Sequence, residues 1–249
     1  MKKLKHMLSE WPHGAVFSSH YLRQKGIKAE HLKRYRKSGW IVNVARGAYK
    51  LAGDHIDWMG AVYGLQQEKN VHIGGKTALE LKGYGHFITF SLRTVFLYSS
   101  THKTLPRWFK NNDWGVKIHF SYLHLFQVEI KDSYTRYDHN SLNLKISAPE
   151  RAFLEMLSHI PQKQSFDEAM KIMESLTTLR PELIQRLLEL CRSIKVKRLF
   201  LYMAEKHNHF WFSHLDLSRI DLGRGNRSIV KNGLFNKKYR ITVPGEFEN

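Results

Sequence analysis

The stretch from Trp11 to Leu51, WPHGAVFSSHYLRQKGIKAEHLKRYRKSGWIVNVARGAYKL, decides the fold of the N-terminal part of this chain. Ser18 or Ser19 is placed to cap a short helix, because a serine hydroxyl there accepts a hydrogen bond from an otherwise unpaired amide. The helix is expected to end near Lys25, where Gly26 supplies the backbone conformation of a tight exit. The pattern therefore predicts a short helix followed by a sharp turn.

A second helix is predicted over residues 29–38, directly after the turn. At 3.6 residues per turn, Ala29, Leu32 and Tyr35 share one apolar face. The opposite face carries charged side chains, and two further polar residues lie on its edge: Glu30, Lys33, Arg34 and Lys37, with His31 and Ser38. One face is thus expected to pack inward and the other to meet solvent or a ligand.

Two strands are predicted next, over Trp40–Val44 and Ala48–Leu51, with Arg46 at the tip of their turn. Two helices joined by a tight turn and followed by a hairpin form a winged helix-turn-helix. This arrangement places one helix in the major groove of DNA.

The charge distribution supports a polyanionic partner for this segment. Residues 1–53 contain 12 basic and 2 acidic side chains, a net charge of +10, whereas the other 196 residues carry +8 of the total of +18. A merely solvated helix face needs no such bias. Binding to a phosphate backbone does require an excess of basic side chains, because each neutralised phosphate releases counterions. Binding of double-stranded DNA is the prediction.

The whole chain predicts a mixed α+β protein. Its 249 residues and 42% hydrophobic content suffice for one or two packed domains. We expect a winged helix-turn-helix domain over residues 1–53 and a larger mixed α/β domain over residues 54–249. The larger domain divides into a strand-rich part, 54–146, and a helical part, 147–249. Strands are predicted over Arg93–Ser99, Val116–Tyr122, Gln127–Lys131 and Leu142–Ile146.

Compartment and cofactors follow from what the sequence lacks. No apolar run reaches the length of a bilayer span, and the first eleven residues look like an amphipathic helix instead of a signal peptide. The single cysteine, Cys191, excludes an internal disulfide and lies among leucines. No histidine pair has the spacing of a zinc site. A cytoplasmic protein without membrane partner, metal or cofactor is expected.

A second basic run lies near the C-terminus, without an acidic residue inside it: Arg224, Arg227, Lys231, Lys237, Lys238 and Arg240. It is compatible with a solvated tail, with auxiliary phosphate contacts, and with a patch for an acidic partner. The sequence does not choose among these.

An enzymatic alternative rests on three residues. Glu129 and Lys131 are two apart on a predicted strand, with Asp113 upstream, and nucleases of the restriction type use Asp and then Glu-x-Lys to hold a divalent metal. Alternating charges on an exposed strand are common, so the signal is weak. This metal-dependent DNA nuclease is kept as the alternative to a DNA-binding regulator.

Several motifs, taken in order, resemble the AbiEi-type antitoxins of type IV toxin–antitoxin systems. WPHGAVFSSHYLRQKGI and RKSGWIVNVARGAYKL look like the N-terminal winged domain of that family. VHIGGKTALELKGYGH looks like the opening of its antitoxin domain, and LKISAPERAFLEML and KKYRITVP look like its later landmarks. The resemblance covers nearly the whole chain.

The resemblance implies a non-enzymatic repressor that binds inverted repeats in the promoter of its own operon. It also implies that the chain counteracts a neighbouring nucleotidyltransferase-like toxin without forming a stable complex with it. By this resemblance, the residues of the reading helix are Lys28, Glu30, His31, Lys33, Arg34 and Lys37. Ser18, Ser19 and His20 match the start of the supporting helix, and Arg46 matches the wing.

Overall fold

The computed structural model describes residues 9–85 and 94–248, so the helix predicted over the first eleven residues lies mostly outside the described residues. The chain forms two compact units. The first comprises Met1–Ile73, Leu92–Tyr122 and Arg136–Lys145; the second comprises Gly74–Ser91, Leu123–Thr135 and Ile146–Asn249. The predicted boundary near residue 53 does not coincide with a division between these units. An independent domain over residues 1–53 therefore stays a prediction.

The first unit begins with two helices and a small antiparallel sheet. The elements are β1 (Phe17–Ser18), α1 (Ser19–Gln24), α2 (Ala29–Lys37), β2 (Ile41–Ala45) and β3 (Ala48–Leu51). The strand order is β1-β3-β2, so the hairpin predicted from sequence gains a third strand. Beneath the helices lies a cluster of buried apolar side chains that includes Trp11, Phe17, Leu22, Leu32 and Tyr35.

The rest of the first unit is built around a second, five-stranded sheet. Its elements are α3 (Trp58–Glu68), β4 (His72–Ile73), β5 (Thr94–Ser99), α5 (Arg107–Lys110), β6 (Lys117–Tyr122), β7 (Tyr134–His139) and β8 (Leu142–Ser147). Helix α4 (Gly75–Leu81) belongs to the second unit. The strand order is β6-β5-β4-β8-β7, with β5 and β6 parallel and β4 and β5 antiparallel. The ends of β7 and β8 extend beyond this unit.

Helix α3 packs against the chain before β1 through two glycines. A Cβ atom added to Gly60 would lie 1.8 Å from the carbonyl oxygen of Gly14, and one added to Gly64 would lie 1.5 Å from that of Val16. The amide of Val16 also donates to the carbonyl of Gly60 at 3.2 Å. The helix backbone therefore touches the backbone of the chain before β1 directly.

The second unit is mainly helical, with a small sheet near the C-terminus. Its elements are α4 (Gly75–Leu81), α6 (Pro149–Leu157), α7 (Phe166–Ser175), α8 (Pro181–Leu190), α9 (Ile194–Lys206), β9 (Arg227–Ser228), β10 (Leu234–Asn236) and β11 (Ile241–Val243). Helix α4 packs against α6. The predicted mixed α+β class is confirmed. Within the described ranges, no helix is long and apolar enough to cross a membrane.

Two local predictions in this unit are wrong. Residues 127–131 do not form a strand: Phe126 makes a single bridge to Cys191, and Lys131–Ser133 form a 3₁₀ turn that the Ser133 hydroxyl closes on the carbonyl of Ile130. In the sequence, Thr77-Ala-Leu-Glu80 has the spacing of a capping box, which predicts Thr77 as the cap of α4. The cap is instead Gly74, three residues earlier, and Gly75, the first residue of the helix, has a positive φ of 52°.

Candidate nucleic-acid interface

The supporting helix α1 is fixed by its first residue. Ser18 is buried, and its hydroxyl accepts a hydrogen bond from the amide of Tyr21 at 3.0 Å and donates to Glu68 at 2.8 Å. The helix ends before Gly26, whose φ of 82° turns the chain, and Ile27 is buried in the corner. The predicted cap and turn are both present. The Ser18 hydroxyl is fully engaged inside the protein.

Helix α2 is amphipathic as predicted. Leu32 and Tyr35 are buried, whereas the opposite face is exposed and carries Lys33, Arg34, Arg36 and Lys37. Among the residues that the structure describes, no acidic side chain pairs with any of these four cations. Arg36, which the sequence patterning left out, belongs to the same set. The face therefore presents uncompensated positive charge, the property that binding to phosphates requires.

The guanidinium group of Arg34 lies over a neighbouring ring. Its central carbon is 5.4 Å from the centroid of the Tyr35 ring, which is itself held in the core. A cation at this distance from an aromatic face is attracted to it. The contact limits the conformations of Arg34 while leaving the side chain exposed, so its planar donors are partly preorganised for a ligand.

His31 has a structural task that the sequence did not indicate. Its Nδ1 accepts a hydrogen bond from the amide of Lys28 at 3.2 Å, which satisfies one of the open donors at the start of α2. The ring stacks on Tyr35 with centroids 6.1 Å apart, and its Nε2 lies 3.9 Å from the carboxylate of Glu30. Lys28 and Glu30 are exposed beside it.

The wing is joined to the start of α1. Arg46 is exposed at the tip between β2 and β3, next to Gly47 with a φ of 78°. The amide of Ser19 donates to the carbonyl of Gly47 at 2.7 Å. His20 follows, exposed, with its Nε2 3.1 Å from the amide nitrogen of Gln24. The structure therefore brings the wing tip and the supporting helix together.

The C-terminal basic run lies in the second unit, where Arg227 is on β9 and the other five residues lie just before β9 or in the turns that join β9, β10 and β11. All six of its residues are exposed: Arg224, Arg227, Lys231, Lys237, Lys238 and Arg240. Lys238 pairs with Glu205. The buried guanidinium of Arg198 donates to the carbonyls of Leu222, Gly223, Gly225 and Arg240 at 2.7–3.1 Å, and so fixes the turns that carry the run.

A buried polar network holds the segment that the resemblance associates with the antitoxin domain. Glu155 is 1% exposed and accepts hydrogen bonds from the amide of Gly75 at 3.1 Å, from Ser147 at 2.8 Å and from Arg151 at 2.7 Å. Arg151 also donates to the hydroxyl of Ser133. The sequence Ser147-Ala-Pro-Glu150 is typical of a helix start with Ser147 as the cap, whereas Ala148 occupies the cap position of α6.

Two aromatic rings complete the surroundings of Arg151. Its guanidinium lies 4.7 Å from the ring centroid of Phe126 and 4.3 Å from that of Tyr134. Burial raises the pKa of the Tyr134 hydroxyl, so that group stays neutral. The charged pair is thus enclosed and fully bonded, which suits a structural element that fixes α4 against α6.

The residues of the enzymatic alternative do not have the predicted backbone. Asp113 accepts a hydrogen bond from the amide of Gly115 at 2.9 Å, and Glu129 and Lys131 lie in irregular chain and a 3₁₀ turn instead of on one strand face. Over residues 9–85 and 94–248, no group of three or more His, Cys, Asp or Glu side chains is arranged to hold a metal ion.

Comparison with known proteins gives a family and a fold. A profile for the AbiEi antitoxin N-terminal domain of transcriptional regulators matches residues 1–90, and a profile described as a transcriptional regulator, the AbiEi antitoxin of a type IV toxin–antitoxin system, matches residues 92–244. No curated protein matches the sequence significantly.

The crystal structure of the RV2827C protein from Mycobacterium tuberculosis is similar in fold. The two chains share 13% identity with a TM-score of 0.59, over 95% of this chain and 88% of that one. At this identity the similarity concerns the fold alone. The two matched profiles together span the described units, and the family fits toxin counteraction and autoregulation and does not fit a nuclease. This chain therefore belongs to the AbiEi family of antitoxins, the transcriptional regulators of type IV toxin–antitoxin systems.

Proposed function

We propose that this chain represses its own operon by placing α2 in the major groove of inverted repeats in the promoter. The observation that carries the proposal is the exposed face of α2, whose cations have no acidic partner among the described residues. An unpaired cation contributes to binding by releasing counterions from phosphates, whereas a cation already paired inside the protein contributes little.

The side chains divide into two roles. Arg34 is exposed and held over Tyr35, and we assign it to a base edge, where an arginine donates two hydrogen bonds to guanine. His31 and Glu30 set the start of α2 and approach the groove from its first turn. The remaining residues contact phosphates or position the interface: Ser18, Ser19, His20, Lys28, Lys33, Lys37 and Arg46.

The test is the affinity for a duplex that covers the operon's own promoter. Arg34→Ala and Lys37→Ala should each weaken binding by about 1–3 kcal/mol, and Lys37→Ala should also lower the slope of log affinity against log salt by about 1. Arg34→Ala should also reduce discrimination against a scrambled duplex. Lys131→Ala, which removes an exposed lysine outside this interface, is the matched control. A double variant that binds like the native chain would refute the assignment of α2.

The second part of the proposal concerns the toxin. The chain counteracts a nucleotidyltransferase-like toxin in the cytoplasm, without catalysis of its own and without a stable complex. If repression and antitoxicity use different residues, Arg34→Ala/Lys37→Ala should lose promoter binding and still rescue growth when it is expressed from an independent promoter with the toxin. Co-elution of the two proteins at micromolar concentration would contradict the absence of a stable complex.

The C-terminal basic run is proposed as an auxiliary phosphate contact. Its residues are exposed on turns that Arg198 fixes, and among the residues that the structure describes Lys238 alone pairs with a carboxylate. Reversing Arg224 and Lys231 to Glu should weaken binding to a long promoter duplex and leave binding to a short half-site duplex unchanged. Equal weakening on both duplexes would contradict an auxiliary role, and no weakening on either would favour a solvated tail or an acidic partner.

A further inference from the structure

A cavity of about 340 Å³ lies inside the first unit, between α5, the chain that precedes it, and β6. Its wall is mostly apolar: Leu105, Phe109, Val116, Ile118 and Phe120. Ile118 and Phe120 alternate along β6, so they point to the same face of the strand, and Val116 lies directly before it. Binding sites for small molecules typically have volumes of about 300–1,000 Å³, apolar walls and a few polar groups. The cavity meets these requirements.

The polar groups of the cavity include two cations. Lys103 and Lys110 are both exposed and both line the cavity, and no acidic side chain is among its lining residues. The ammonium of Lys103 lies 5.8 Å from the centroid of the Tyr122 ring, which limits its movement. An apolar wall beneath two cations favours a ligand with an apolar body and one negative charge.

The structural element that forms one wall of this cavity is hydrogen-bonded to the DNA-binding segment at two points. Asn112, a lining residue, donates to the carbonyl of Val44 on β2 at 3.3 Å. Trp108 on α5 donates through Nε1 to Glu68 at 3.0 Å, and the other oxygen of Glu68 accepts from Ser18, the cap of α1. Each link ends on a residue that positions the helix-turn-helix or its wing.

We propose that this cavity binds a small amphipathic anion, an aromatic or aliphatic body that carries one carboxylate or sulfonate group, and that this binding changes the affinity of the chain for its promoter. The regulatory half rests on the proposed DNA-binding function. A ligand shifts DNA affinity only if it binds the DNA-bound and free forms differently, and the effect must then be reciprocal. The proposal can therefore be tested by measuring promoter affinity with and without the ligand, and ligand affinity with and without the promoter.

The first experiment tests the site with 8-anilinonaphthalene-1-sulfonate and with its neutral analogue N-phenyl-1-naphthylamine, both followed by fluorescence on the full chain. The sulfonate should bind at one site per chain. Lys103→Glu/Lys110→Glu should weaken its binding by about tenfold, because two attractions become repulsions, and should leave the neutral analogue within about twofold. Lys117→Glu is the matched control, since Lys117 is exposed on β6 and does not line the cavity.

Three results would overturn the site. They are the absence of sulfonate binding, equal weakening by the Lys117 control, and equal weakening of the neutral analogue. All three substitutions replace exposed lysines, so the fold should persist, and far-ultraviolet circular dichroism checks this.

The second experiment tests regulation. Promoter affinity is measured by anisotropy of a red-labelled duplex with and without saturating sulfonate, and sulfonate affinity is measured with and without saturating duplex. The sulfonate should change promoter affinity, and the duplex should change sulfonate affinity, by the same factor of about five or more. Trp108→Phe removes the donor to Glu68 and should bring both factors towards one while sulfonate still binds. Trp211→Phe removes a buried indole donor in the second unit and should leave both factors unchanged.

The outcomes separate the two proposals. Sulfonate binding at the cavity without any change in promoter affinity would overturn the regulatory half. Native coupling in Trp108→Phe would overturn the route through Glu68. A chain that binds the sulfonate at this site but binds no promoter duplex in its absence would refute the proposed DNA-binding function, and the ligand site would stand.

Discussion

Replacing Gly64 by alanine should separate α3 from the chain that directly precedes β1. The added Cβ would lie 1.5 Å from the carbonyl oxygen of Val16, whereas real Cβ atoms essentially never approach another heavy atom within 3.0 Å. Neither partner is the end of a flexible side chain, so the helix or the segment must move by about 1.5 Å. Such a displacement in a close-packed interior breaks contacts on both sides of the helix.

The energy of this change has two opposing parts. Overpacking costs about 1–3 kcal/mol or more, whereas alanine favours a helix over glycine by about 1 kcal/mol. Because the obstruction is backbone and cannot turn away, we expect the steric part to dominate. The net loss of unfolding free energy should reach about 2 kcal/mol, which corresponds to a lower melting temperature by roughly 5 °C or more.

Two measurements check this prediction. Chemical denaturation gives the change in unfolding free energy, and promoter affinity reports whether the helix-turn-helix is still held in place. Gly245→Ala is the matched control, because a Cβ there would meet only Leu234 at 3.5 Å and the φ is not positive. A Gly64→Ala protein as stable as the Gly245→Ala control, with native promoter affinity, would refute the direct backbone packing of α3.

Four further outcomes are expected. Ser18→Ala removes the cap of α1 and should lower the unfolding free energy in urea titrations by about 1 kcal/mol. Glu155→Ala leaves the buried charge of Arg151 uncompensated and should cost about 3–5 kcal/mol by the same assay, with Glu155→Gln less affected. Burial raises the pKa of the Cys191 thiol to about 11, so a disulfide reagent should label the native chain far more slowly than the urea-unfolded chain. Burial, and next the charge of His209, lower the pKa of His207 below its ordinary value of 6.5. The unfolded state therefore binds the proton first as the pH falls, so the stability that is present above pH 6.5 is lost on acidification. His207→Gln should flatten this fall in unfolding free energy between about pH 7 and about pH 5.

The helix-turn-helix was predictable because its signals are local. A cap, a glycine exit and an apolar spacing of three residues each act within one or two turns of helix. Ser18 caps α1, Gly26 and Gly39 take positive φ values of 82° and 71°, and Leu32 and Tyr35 are buried as their spacing indicates. The predicted hairpin is confirmed for the same reason.

Features that rest on a single contact, and not on a periodic pattern, could not be predicted from the sequence. The contact of Gly64 with Val16 joins residues 48 positions apart, and the sequence around neither residue has a pattern that predicts it. The false strand over residues 127–131 had an alternation of charges, but the hydroxyl of Ser133 stabilises a 3₁₀ turn there that the alternation cannot reveal. In both cases the deciding interaction is a hydrogen bond or a steric contact and not a periodicity.

Charge counting shows the same limit at the level of function. The second unit also contains many cations, but several form ion pairs within the unit: Arg151 with Glu155, Arg180 with Glu150, and Lys76 with Glu168. A cation that is already neutralised inside the fold releases no counterion from a phosphate backbone. On α2, the burial of Leu32 and Tyr35 turns the basic face outward, and among the described residues no carboxylate pairs with its lysines and arginines. The proposed position of the interface therefore rests on the cations that the fold leaves unpaired, and the total of +18 by itself does not locate it.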